Sequence, residues 1–188
     1  NDALIESAKR AAKLGLQHRV TKTPEEASKY WTIRRESFNL LRHHVKGKRT
    51  APFIDDIIVR PEFLPEFLPK LTAILDRYHL WYTIAGHVGD GNFHIIPLMG
   101  PEELRDTKVI TEISSLVYDL VVSYGGSITA EHNDGIVRTP YLEKLYGPEI
   151  CELFRQTKTI FDPQNIFNPG KKVGGTIKYL TDHLSPTV

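Results

Sequence analysis

The chain has 188 residues, 24 of them basic and 23 acidic, so the charges nearly cancel. That balance excludes the bulk electrostatic footprint of a nucleic-acid or membrane-surface protein, while the length is enough for one domain with a buried core. A single cysteine, Cys151, excludes an internal disulfide and leaves nothing that points to an oxidising compartment; no apolar run approaches the ~20 residues of a membrane span. A cytoplasmic location is the expectation. No signal peptide opens the chain and its first residues already read as mid-protein helix, so it is expected to be a fragment or processed piece.

Residues 3–16 are helix-like. Thr23-Pro24-Glu25-Glu26 opens a second helix, reaching about Leu41, with a capping threonine, proline at the first position and acids in the first turn. The basic run His43-His44-Val45-Lys46-Gly47-Lys48-Arg49 reads as a solvated loop rather than a phosphate site, and the loop extends through Pro52. Phe53 to Val59 is a strand. Pro61 begins a helix whose residues Leu64, Phe67, Leu68, Leu71, Ile74, Leu75 and Tyr78 trace one face, with Pro69 set to kink or delay it. Leu80–Ile84 and Phe93–Leu98 are strands. Pro101-Glu102-Glu103 starts a helix that Gly125-Gly126 stops, and Ser127–Glu131 is a short strand. A helix over 148–160 precedes a Pro/Gly-rich tail within 161–188. The order is that of a ferredoxin-like β-α-β-β-α-β fold of the α+β class, an antiparallel sheet with helices on one face. Extra N-terminal helices and a C-terminal helix plus tail complete a single domain over 1–188.

The most informative stretch is Gly86-His87-Val88-Gly89-Asp90-Gly91-Asn92-Phe93-His94. Asp90-Gly91 is a strong two-residue hairpin turn, because both types tolerate positive φ. With those two in the turn, 89 pairs with 92, 88 with 93 and 87 with 94. His87 and His94 then face one another with Cβ atoms roughly 5 Å apart, a spacing that suits two imidazoles on one divalent cation. Downstream, Ser127-Ile128-Thr129-Ala130-Glu131-His132-Asn133-Asp134-Gly135 runs from a strand into a polar loop. Glu131 would complete a two-histidine, one-carboxylate facial triad with open positions. Successive strand residues point to opposite sides, so Glu131 and His132 are expected to play different parts.

The Gly-His-x-Gly-Asp-Gly-Asn-x-His segment, the later Ala-Glu-His-x-x-Gly segment and the closing Phe161-Asp162-Pro163-Gln164-Asn165-Ile166-Phe167-Asn168-Pro169-Gly170-Lys171 together resemble one family. It is the C-terminal substrate domain of the FAD-linked oxidases, which includes D-lactate, glycolate and D-2-hydroxyglutarate dehydrogenases. The resemblance independently implies the ferredoxin-like fold. It also implies FAD held mainly by a separate N-terminal domain, a substrate pocket in this domain, and inactivity of this chain alone. The sequence has no GxGxxG after a strand, which agrees with a flavin held elsewhere. One departure stands out: Asn133 replaces the glycine that many relatives carry after Glu-His. Asparagine is the best substitute where a left-handed backbone is required.

With His87, His94 and Glu131 on a divalent ion (zinc, manganese or iron all accept the set), a 2-hydroxy acid would chelate through a carboxylate oxygen and its hydroxyl. The ion would orient it and acidify the hydroxyl. His132 is the expected base, imidazole being suited to moving a proton near neutrality, and the resemblance assigns it the same role. Arg34 matches a position where relatives place a substrate-binding arginine, whose planar fork suits a carboxylate; Arg138 is a second substrate candidate. Asn168 and Lys171 are expected to approach the flavin or its domain, and a redox partner would reoxidise the flavin. Two other readings stay open: a self-contained metal-dependent hydrolase using His132 or Asp134, and a non-catalytic metal-sensing or interaction module.

Overall fold

The computed structural model describes residues 2–184, apart from the side chains of residues 38–44, so that His43 and His44 of the basic run lie outside the described side chains. The chain divides into two compact units, Asn1–Lys46 and Gly47–Val188. In the first, α1 (Asp2–Lys13) closes on Gly15, whose positive φ lets the amides of Gly15 and Leu16 return to Ala12 and Ala11. Helix α2 (Pro24–His44) starts where expected, with the Glu26 amide donating to Thr23 Oγ1 at 3.2 Å.

The second unit is a small antiparallel sheet packed against helices. Strands β1 (Arg49–Thr50) and β2 (Ile57–Ile58) are two-residue pieces. A short 3-10 turn at Pro61–Phe63 leads into α3 (Leu64–Arg77), which buries Leu64, Phe67, Leu71 and Leu75. Pro65 sits in its first turn and Pro69 is accommodated inside the helix. Strand β3 (Trp81–Ala85) follows, then β4 (Asn92–Met99), against which β1, β2 and β3 all pair antiparallel. Next come α4 (Pro101–Arg105) and α5 (Thr107–Ser123), which are separate because Asp106 caps α5 through the Val109 amide. The buried face of α5, Ile110, Ile113, Val117, Tyr118 and Val121, joins that of α3 in one core with Ile54, Ile57, Phe93, Ile95 and Ile128.

The α+β class is as expected, with two local corrections. The expected strand over 53–59 is cut down to β2, with β1 added before it. The expected strand over 127–131 is reduced to one antiparallel bridge, Ile58 with Ser127. The reason is chemical: residues 130–132 give their amides to a buried carboxylate rather than to a neighbouring strand. The chain then forms α6 (Gly135–Arg138), a 3-10 turn at Thr139–Tyr141, α7 (Leu142–Phe161) and α8 (Ile177–Asp182). Helix α7 is interrupted at Gly147, which has positive φ before Pro148, so that its second part begins where the sequence places a helix.

The hairpin also differs from expectation. In β3–β4 the register is Trp81 with Leu98 through Ala85 with His94. His94 therefore faces Ala85, not His87. Residues 86–91 form a six-residue connection containing a 3-10 turn at Val88–Asp90, and among 87–91 only Gly91 has positive φ. Asp90-Gly91 would need left-handed geometry at both residues for a two-residue type I′ turn, and Asp90 does not adopt it.

Candidate functional site

The site is built around two consecutive acids, Asp55 and Asp56, set between the fully buried Ile54 and Ile57. An ionised carboxylate in such a place must be heavily hydrogen-bonded. Asp56, itself 0% exposed, accepts the amides of Ala130 (2.9 Å), Glu131 (3.1 Å) and His132 (2.8 Å) and the side-chain amide of Asn92 (3.1 Å). Burial by itself would raise its pKa, but these four donors outweigh burial and hold the carboxyl below the usual carboxylate range. Asn92 also donates to the Ile57 carbonyl at 3.2 Å. One buried anion thus pins β2, the start of β4 and the Glu131–His132 loop together.

Glycine lets the histidine loop reach this anchor. Gly91 has φ 76°, and a Cβ there would lie 1.8 Å from the Val59 carbonyl oxygen; at Gly86 (φ 144°) it would meet the Asn92 carbonyl oxygen at 2.5 Å. Asn133 has φ 64°, the left-handed backbone anticipated for it.

On this frame three imidazoles converge on a single oxygen. Glu131 Oε1 lies 2.9 Å from His94 Nε2, 3.4 Å from His132 Nε2 and 3.5 Å from His87 Nε2. His94 and His132 are stacked with centroids 4.7 Å apart and planes 8° from parallel, while the His87 ring stands edge-on to His94 at 6.0 Å. Glu131 and His132 therefore face the same way. The expectation that they point to opposite sides assumed a strand, and the backbone here is a loop wrapped on Asp56. At the far side of the stack, Asp55 Oδ1 is 3.1 Å from His94 Nδ1 and Asp55 Oδ2 is 3.0 Å from His132 Nδ1.

The donor set suits a divalent cation. The Nδ1 atoms of His94 and His132 face one carboxylate, Asp55, and their Nε2 atoms another, Glu131; a neutral imidazole donates to only one of the two, and a cation at the Glu131 end would meet the Nε2 lone pairs. Among the described residues, Asp56, His94, Glu131 and His132 each offer one ligand atom, all within 4.8 Å of one another. Asp56, however, already spends both oxygens on backbone and side-chain donors, which leaves the histidines and Glu131 as the available ligands.

The other expected residues fall elsewhere. Arg138 is buried, and its guanidinium donates through Nε and Nη2 to the Asp55 carbonyl (3.2 and 2.6 Å) and through Nη1 to the Asn133 carbonyl (2.5 Å). It thereby locks the Asp55 turn to the Glu131–His132 loop. Arg34 is exposed on α2 in the first unit. Asn168 and Lys171 lie in the tail, where the Lys171 amide bonds the Asn168 carbonyl at 3.2 Å. That tail is tied back by Lys172, whose amide donates to Thr139 Oγ1 (2.7 Å) and whose ammonium lies 2.5 Å from Asp134 Oδ2. Asp55 and Asp56 escaped the sequence reading. Their signal was there: two adjacent acids inside the apolar run Phe53-Ile54 and Ile57-Ile58-Val59.

No helix among the described residues is long and apolar enough to cross a membrane. Comparison with known proteins places these features in a family. The sequence model for FAD linked oxidases, C-terminal domain, matches residues 2–172. The chain is 36% identical over 141 residues to D-2-hydroxyglutarate dehydrogenase of Haemophilus influenzae, a match covering 75% of this chain and 14% of that protein. It is 33% identical over 156 residues to the enzyme of the same name from Pseudomonas putida, covering 83% and 15%. It is also 40% identical over 120 residues to D-lactate dehydrogenase of Archaeoglobus fulgidus, covering 63% and 26%. The chain thus spans only a minor part of each relative's length. On the match over 2–172 and the shared identity with these relatives, the chain belongs to the C-terminal domain family of the FAD linked oxidases.

Proposed function

We propose that this chain is the substrate-binding portion of an FAD-dependent dehydrogenase that oxidises a 2-hydroxy acid to the 2-oxo acid, with D-2-hydroxyglutarate and D-lactate as the candidate substrates. The observation that carries the reading is the convergence of His87, His94 and His132 Nε2 on Glu131 Oε1. His87, His94 and Glu131 are the residues that would hold a divalent ion, and such an ion supplies Lewis acidity toward the hydroxyl and carboxylate of the substrate. An N-terminal FAD-binding domain of the same protein would hold the flavin, which when bound would supply the acceptor for the hydride of the substrate's hydroxyl-bearing carbon.

The chain's own side chains account for the remaining roles. His132, about half exposed, presents Nε2 to the cluster while Asp55 holds its Nδ1, so its free lone pair is the group that takes the substrate hydroxyl proton. The ring is fixed on one face by the His94 stack, which limits the directions from which that proton can arrive. Arg34 is assigned to the substrate carboxylate on the strength of the resemblance, and Asn168 and Lys171 to the flavin side. Arg138 is assigned to holding the Asp55 turn, because its Nε, Nη1 and Nη2 already have backbone partners.

The test is made in the protein joined to its flavin domain. His132→Ala should retain metal yet lose flavin bleaching by D-2-hydroxyglutarate and D-lactate, whereas His94→Ala should lose both metal and bleaching. Normal bleaching in His132→Ala would remove the base assignment, and a metal-free wild-type protein would remove the cation.

A further inference from the structure

We infer that Asp55 is a positioning residue that sets the tautomers of two imidazoles at once, one on the metal side of the site and one on the proton-transfer side. The inference rests on the proposed roles of His94 and His132, but its geometry does not depend on them. The Asp55 carboxylate is only 13% exposed, and each of its two oxygens faces a different ring, Oδ1 toward His94 Nδ1 and Oδ2 toward His132 Nδ1.

A neutral imidazole carries its one proton on Nδ1 or on Nε2. An ionised carboxylate only accepts, so Asp55 at the Nδ1 end and Glu131 at the Nε2 end compete for the one proton of each ring. Asp55 takes it because it is the more buried of the two (13% against 46% exposed) and gives each ring its own oxygen at 3.1 and 3.0 Å, whereas one Glu131 oxygen would have to serve both at 2.9 and 3.4 Å. Both Nε2 atoms are then unprotonated and aimed at the same place, beside Glu131. The near-parallel stack follows: the two oxygens of one carboxylate hold the two rings side by side. The fork is itself fixed in direction, because the Asp55 carbonyl accepts twice from the buried Arg138. Ile54 and Ile57, both fully buried, anchor the turn on either side. A carboxylate behind a ligating histidine tunes affinity and orientation in metal sites generally. Here one carboxylate serves a proposed ligand and the proposed base together, so the two cannot be adjusted independently.

The experiment uses the 188-residue chain labelled with 15N in its histidines, at a pH about two units above the ordinary imidazole value of ~6.5. Long-range proton–nitrogen spectra report which ring nitrogen carries hydrogen, and Zn2+ alone serves as the metal probe. In the wild type, His94 and His132 should both be Nδ1–H tautomers. Asp55→Asn offers one acceptor and one donor where two acceptors are needed, so one ring should switch to Nε2–H and the Zn2+ Kd should rise by about 10–100-fold. Asp55→Glu, with two acceptor oxygens one methylene further out, should restore Nδ1–H on both rings. An Nε2–H tautomer for either ring in the wild type overturns the inference without any variant. So does an Asn variant with wild-type tautomers and Zn2+ affinity. Both rings as Nδ1–H in a wild type that takes up no Zn2+ would support the role of Asp55 while refuting the metal centre.

Discussion

His94 and His132 lie face to face, 4.7 Å between centroids and 8° from parallel, although one comes from β4 and the other from the loop beyond Ser127. Each ring spans from Asp55 at one nitrogen to Glu131 at the other. His87 shares only the Glu131 end and meets His94 edge-on. The three histidines are therefore not equivalent. Two form a rigid layer between carboxylates, and the third closes the cluster from a loop.

That asymmetry predicts different consequences for two substitutions in the protein joined to its flavin domain. His87→Ala removes a proposed ligand and leaves the stack intact, so excess metal should restore most of the hydroxy-acid turnover. His94→Ala removes a proposed ligand and also the surface that holds His132. Turnover should stay down by about 100-fold at saturating metal, the order expected when a reacting group is misplaced by about 1 Å. Steady-state kinetics against metal concentration check this; full rescue of His94→Ala by metal would show that the stack does not position His132.

Asp56 should dominate the acid sensitivity of this region. Its folded-state pKa is lowered, because the amides of Ala130, His132 and Glu131 and the Asn92 side chain overcome the opposing effect of burial. A lowered folded value means that the stabilisation is complete above the unfolded value of about 3.9. It is lost as pH falls through the lower, folded value. Asp56→Asn turns a donor toward amides that need an acceptor, at a cost of about 3 kcal/mol near neutrality. Denaturant unfolding of both proteins should show that gap narrowing below about pH 4, because protonation deprives the wild type of the same acceptor. A gap that stays constant into acid would mean that ionised Asp56 is not what pins the loop.

The glycines of the histidine loop separate into required and tolerant positions. At Gly91 a Cβ would lie 1.8 Å from the Val59 carbonyl oxygen at φ 76°, and the Gly91 carbonyl accepts the Val59 amide at 3.1 Å. Gly91→Ala must part the loop from β2, so the loss should exceed the roughly 1–3 kcal/mol of a strained backbone alone. Gly89 has open space around a built Cβ and no positive φ. Gly89→Ala should stay within about 0.5 kcal/mol of wild type. Thermal unfolding of the pair distinguishes a steric requirement at one position from a general preference for glycine in the loop.

How far the sequence revealed this arrangement depended on the range of the interactions. Periodicity located α3, whose buried residues Leu64, Phe67, Leu71 and Leu75 lie on the anticipated stripe, and start and stop signals bracketed the segment that holds α5. The histidines and Glu131 were visible as a motif. The hairpin register was not, because it turns on whether Asp90 takes positive φ, and the Asn92–Asp56 contact that organises the turn joins positions far apart in the chain. Asp55 and Asp56 read locally as polar residues in a strand. Their importance comes from partners contributed by 92–94, 130–132 and 138, which no local pattern displays. Arg138 read as a second substrate candidate for the same reason: its partners are backbone carbonyls.

The tail provides the last expectation, since it carries Asn168 and Lys171 yet is fastened by a residue outside the cluster. Asp162 accepts the amides of Ile166 (2.9 Å) and Phe167 (2.8 Å) and pairs with the Lys158 ammonium. Lys158 holds this carboxyl below its usual range, burial opposes it, and the two amides add to the lowering. Asp162→Asn should release the turn: hydrogen exchange at Ile166 and Phe167 should accelerate toward that of free amides, while Val117 in the core keeps its protection. Lys172 still ties the following segment to Thr139 and Asp134, so the histidine cluster should be undisturbed. In the protein joined to its flavin domain, FAD should then dissociate more readily with metal content unchanged. Loss of metal together with FAD would mean that the turn at Asp162 supports the histidine cluster itself, and Asn168 and Lys171 would lose their separate assignment to the flavin side.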